Sequence, residues 1–100
     1  MYYDLDEKIK QVSNTKEDLT LQMINGEYLK LQYFAKEVDW HYEGRDEFFI
    51  VLEGTVQFSV ENTDYRLKKG DLLVIESGKR HCASSPGCVL LSIEPHSKGR

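Results

Sequence analysis

Polar and apolar residues alternate along much of the chain with a period of two. From Thr55 to Glu61, Val56, Phe58 and Val60 are interleaved with Gln57, Ser59 and Glu61. That is the pattern of an antiparallel strand with one face buried. Tyr28–Phe34 repeats it, with Leu29, Leu31 and Tyr33 around Lys30 and Gln32. Glu47–Glu53 and Leu72–Ile75 are denser apolar runs, as in strands covered on both faces. Breaks at Asn25-Gly26, Gly44, Gly54, Asn62–Asp64, Gly70, Ser77-Gly78 and Pro86-Gly87 cut the chain into many short strands. Both prolines, Pro86 and Pro95, fall at segment edges, where a missing N–H does least harm to a sheet. Asp4–Gln11 is the one helical candidate, and Thr15–Asp18 caps no more than a turn. The segment before Leu19 is expected to be a strand or helical turn packed on a barrel or on a partner subunit. The predicted class is all-β, and a small closed barrel or jelly roll would remove the exposed edges of such a chain.

A length of 100 residues predicts one domain, with a core over about 18–95 and a packing or dimer arm over 1–17. Apolar residues make up 40% and charged residues 30%, too apolar a balance for disorder. The net charge is −4, from 13 Lys+Arg and 17 Asp+Glu, which argues against a broad nucleic-acid or anionic-membrane surface. The opening MYYDLDEKIK has no apolar run suited to a signal peptide, and no stretch reaches the ~20 apolar residues of a membrane helix. A cytoplasmic location is expected, with Cys82 and Cys88 as reduced thiols.

Several polar residues fall among these strands in a suggestive order. His41 and Glu43 share one face if their segment is extended. Glu47 shares its face with Phe49 and Val51, and Gly44 permits a turn between the two segments. His81 follows the turn at Ser77-Gly78. Two imidazoles with one or two carboxylates suit a divalent first-row metal, with Glu43 as a fourth ligand or a general base. A hydrogen-bonded polar pocket without metal is the alternative. Tyr33, Phe34, Trp40, Phe49 and Phe58 are expected core aromatics, and Tyr33, Phe49 and Phe58 are candidates to line a cavity. Phe48, Ile50 and Leu52 should face the other way, towards the N-terminal segment or a second subunit. Cys82 should face away from His81, and His96 sits in the basic tail HSKGR.

These spacings resemble the cupin superfamily. Its first motif is commonly G-x5-H-x-H-x(3,4)-E-x6-G; His41, Glu47 and Gly54 stand at the first-histidine, glutamate and final-glycine positions. Its second is G-x5-P-x-G-x2-H-x3-N; Gly70, Gly78 and His81 match. The match covers roughly 30–94, and LSIEP at Leu91–Pro95 looks like the closing strand of small bacterial cupins described as mannose-6-phosphate-isomerase-like. The resemblance implies a single cupin jelly-roll β-barrel, a metal site at His41, Glu47 and His81, and a homodimer. Glu43 replaces the second histidine, Ala35 the initial glycine, Glu76 the proline and Ser85 the asparagine. With a carboxylate in place of an imidazole, the set leans from copper towards iron, manganese, zinc or nickel.

Two functions follow. One is a metal-dependent small-molecule enzyme, with isomerase, dioxygenase and lyase chemistry all open by resemblance. The other is a non-catalytic small-ligand-binding or sensor cupin with a degenerate or empty metal site, a reading motivated by the missing histidine.

Overall fold

The computed structural model describes residues 1–95; His96 lies outside the described residues. One helix, α1 (Leu5–Thr15), precedes seven strands: β1 (Leu19–Ile24), β2 (Glu27–Phe34), β3 (Glu37–His41), β4 (Glu47–Val60), β5 (Thr63–Lys68), β6 (Leu72–Ile75) and β7 (His81–Pro95). None of the described helices is long and apolar enough to cross a membrane.

The two long strands organise the others. β4 has 14 residues and β7 has 15, and they pair antiparallel from Ile50↔Leu91 to Val60↔His81. On the first half of β4 lies β6, and on the second half β5. On the last half of β7 lies β2, flanked by β1, and on its first half β3. The all-antiparallel sheet therefore has two halves, β1-β2-β7-β4-β6 and β3-β7-β4-β5, that share their central strands. Apolar side chains from both halves meet in one core, including Val51, Leu73 and Leu90 from the first and Val56, Phe58 and Leu67 from the second. The result is a cupin-like jelly roll, with strands over 61% of the described residues.

Passing from one half to the other requires β4 and β7 to bend together. Pairing slips between Val51 and Glu53 and again between Thr55 and Gln57, as bulges that turn a strand do. Gly54 sits between the slips with φ +80°. A Cβ there would run into the Gly87 carbonyl oxygen and lie 2.9 Å from the Cys88 Cα. The final glycine of the first motif is thus required by backbone contact as well as by its dihedral angle.

Helix α1 forms where the one helical candidate, Asp4–Gln11, is expected. It extends four residues beyond Gln11, to Thr15. The Asp4 carboxylate accepts the Glu7 backbone N–H at its start, and at its end the Lys16 N–H donates to the Val12 carbonyl at 2.8 Å. The helix stands because Val12 is fully buried against Leu31 and Val89, with Ile9, Leu52 and Leu91 around them. These strand residues point out of the barrel, so α1 is a cover on its outer face. Leu52 meets it as expected; Leu72 and Val74 on β6 remain exposed. Trp40, expected in the core, is 43% exposed. It precedes the inward-facing His41 by one residue, so strand alternation sends it outward. Cys82 and Cys88 are both free thiols.

Gly54→Ala is expected to cost about 2 kcal/mol or more, since overpacking adds to a strained positive φ. Gly44→Ala, where a Cβ meets nothing within 4 Å, should change stability by less than about 0.5 kcal/mol. Urea denaturation of both variants checks the contrast.

Candidate functional site

Strand pairing sets the two histidines side by side. His41 ends β3 directly opposite His81, which begins β7. Their ring centroids are 4.3 Å apart and the planes are tilted by 57°. Each Nδ1 lies 2.9 Å from the carbonyl oxygen two residues earlier, Asp39 for His41 and Lys79 for His81. A carbonyl can only accept, so each Nδ1 carries a proton and donates it. Both rings are thereby held with Nε2 as the nitrogen left for other partners.

Those partners are carboxylates. His81 Nε2 is 3.4 Å from Glu47 Oε1, and His41 Nε2 is 3.5 Å from Glu43 Oε2. Glu47 opens β4, paired with Ile75, and alternation turns it inward with Phe49 and Val51. The approach is fixed by turns: the Ser77 N–H donates to Asp46 Oδ1 at 2.8 Å, and the Gly78 N–H donates to the Glu43 carbonyl at 2.9 Å. Although Glu47 Oε1 is within ion-pair distance of His81, it is buried without a hydrogen-bond partner among the described residues. Burial pushes the Glu47 carboxyl above its ordinary range, and Glu43 adds to the effect; His81, His41 and Arg45 pull the other way without cancelling it. An imidazole lone pair facing a buried carboxylate is repulsive unless a proton or a cation lies between them.

A cavity of about 250 Å³ opens beside these groups. Its wall includes His41, Glu47 and His81, the apolar rings of Phe34, Phe49 and Phe58, and the polar side chains of Gln32, Lys36 and Glu94. Phe49 and Phe58 stack with centroids 5.1 Å apart. Tyr33, expected in this wall, is not there. It pairs with Val89 and packs in the outer cluster beneath α1, and its neighbour Phe34 takes the inward place. Gln32 and Phe34 share a parity on β2, which is the signal that would have singled them out. Glu43 lines a separate small depression with Arg45 and Glu47, and its side chain is about half exposed. A larger depression, about 320 Å³, lies on the outer side of β3, β4 and β7; it contains Cys82, which faces away from the histidines.

The donor types suit a divalent cation. Their arrangement is pairwise, however: among the described residues no three His, Cys, Asp or Glu side chains are grouped as a ready-made metal cluster. A metal at this site would require the two imidazole–carboxylate pairs to close on a common point.

The chain belongs to the cupin family: the family model described as Cupin domain matches residues 28–94. Among curated proteins, it is 32% identical over 73 residues to the uncharacterized protein YdbB of Bacillus subtilis (strain 168), covering 71% of this chain and 65% of that protein, just under two thirds of its length. Among solved structures, a cupin-2 domain containing protein from Shewanella frigidimarina is 27% identical, with a TM-score of 0.79 and 93% of each chain covered. Protein NMB1881 from Neisseria meningitidis is 18% identical, with a TM-score of 0.75 over 95% of this chain and 99% of that one, a likeness of fold alone.

The raised Glu47 carboxyl has a consequence for stability. Its folded-state pKa lies above the ordinary 4.5, so ionising it opposes folding, and stability is lost as the pH rises from that value through the folded pKa. In metal-free protein, Glu47→Gln should therefore be more stable than wild type at pH 7, with the difference vanishing below about pH 4. Denaturant midpoints at the two pH values check it.

Proposed function

We propose that this cupin binds a divalent metal ion through His41, Glu47 and His81, with Glu43 as a fourth ligand, and uses that site to hold a small molecule in the adjoining cavity. The supporting observation is the buried Glu47 Oε1, which has no hydrogen-bond partner and faces the Nε2 of an imidazole already committed at Nδ1. A cation there relieves both the unpaired carboxylate and the lone pair. Iron, manganese, zinc and nickel fit a mixed imidazole and carboxylate set.

The metal would supply Lewis acidity towards a ligand oxygen. The remaining work falls to the protein. The Asp39 and Lys79 carbonyls hold the two imidazoles in one tautomer and orientation. Phe34, Phe49 and Phe58 restrict water around the ligand. Glu43, whose Oε2 is 3.5 Å from His41 Nε2, would act as the general base only where it does not ligate the metal. A second reading, a binding cupin without catalysis, is favoured by one specific observation: the four donors stand in two pairs.

Protein purified without chelator should carry near-stoichiometric iron, manganese, zinc or nickel by mass spectrometry. His41→Ala and His81→Ala should each lower metal affinity about a hundredfold or more. His81 is 4% exposed and His41 36%, so the His41 variant keeps the test valid if the other fails to fold. Metal-free wild type that also takes up none of the four ions on titration would overturn the metal reading.

A further inference from the structure

We propose that the cavity's ligand is a small organic carboxylate whose anionic end is bound by Lys36, with the Gln32 amide beside it and its carbon skeleton against the three phenylalanine rings. The inference rests on the metal reading above and extends it to a substrate class.

The starting point is the fate of each cation around the cavity. Lys30 is engaged by Glu94 at 3.1 Å and Asp18 at 3.4 Å. These partners hold its ammonium pKa up, although burial works to lower it. Arg45 is engaged by Glu27 at 3.4 Å. Lys36, unlike those two, lines the cavity itself and, among the described residues, makes no ion pair; its ammonium is 6.0 Å from the centre of the Phe34 ring. A cation at that distance from a ring gains little from it and is available to an anion.

The carboxylates in and near the cavity decide when an anion would be welcome. Glu94 is offset by Lys30. Glu43 and Glu47 are offset only when a divalent cation sits among the histidines, and Lys36 then becomes the unbalanced charge of the cavity. In the metal-free protein the two carboxylates oppose an incoming anion. Carboxylate binding and metal binding should thus strengthen each other, as linkage requires.

Size and chemistry narrow the ligand. At ~30 Å³ per water, 250 Å³ is the space of roughly eight waters, which suits a molecule of about ten heavy atoms or fewer. Lys36 with a Gln32 N–H can serve the single charge of a carboxylate. A phosphate dianion is usually met by an Arg fork or several backbone N–H groups, and among the described residues the cavity wall has no arginine.

The test uses lactate, 3-hydroxybutanoate and benzoate, each against its primary amide, titrated calorimetrically into zinc-loaded and chelator-treated protein. At least one acid should bind zinc-loaded wild type about tenfold tighter than its amide, the scale of one charged hydrogen bond. In Lys36→Ala, an exposed position, that preference should fall to within about twofold, and Lys36→Glu should reverse it. Inorganic phosphate binding better than every acid would replace carboxylate by phosphate and overturn the proposal. Zinc uptake with no acid-over-amide preference, or a preference that survives in Lys36→Ala, overturns the proposal and leaves the metal reading intact. A preference that depends on Lys36 in protein that takes up no zinc supports the carboxylate site and overturns the metal reading instead.

Discussion

The antiparallel pairing of β4 with β7 is the constraint from which the rest follows. Each strand belongs to both halves of the sheet, so every other strand takes its place from a register set along these two. The bend at Gly54 and Gly87 folds one half onto the other and creates a single inside. The start of β4 and the start of β7 then supply Glu47 and His81, while β3 pairs with the start of β7 and adds His41. The polar cluster is a product of register.

The site itself is held in an electrostatically unfinished state. Two imidazoles are fixed by backbone carbonyls, and their remaining nitrogens are turned to carboxylates of which one is buried. In a low-dielectric wall this arrangement asks for positive charge. A proton would meet the need at low pH, and the proposed divalent ion would meet it at neutral pH. Lys36, which among the described residues makes no ion pair, extends the same logic: with the proposed metal bound it would be the surplus positive charge of the cavity wall.

Much of the fold was legible in the chain. The period of two at Val56, Phe58 and Val60 identified an inward face, and the histidine, glutamate and glycine spacings identified the cupin family before any contact was known. The same spacings pointed to His41, Glu47 and His81, which the fold brings to one cavity. Tyr33 was misjudged because both faces of β2 are covered, one by the core and one by α1, so apolarity could not say which was the barrel side. The full length of α1 was hidden for a related reason: Ser13, Asn14 and Thr15 are poor helix formers, and the helix is secured by the docking of Val12. Lys36 was invisible because it lies in no motif; its interest comes from the ion pairs its neighbours have and it lacks.

In the proposed metal site, His41 and His81 share a cation through Nε2 while Nδ1 stays protonated on a backbone carbonyl. Long-range nitrogen–proton NMR of the imidazole rings, recorded before and after adding one equivalent of zinc, reads this directly. Both rings are expected to be Nδ1–H tautomers in the zinc-loaded protein, with Nε2 shifted to the metal-bound range. Imidazole nitrogens unchanged by zinc, or metal bound through Nδ1, would contradict the proposed site.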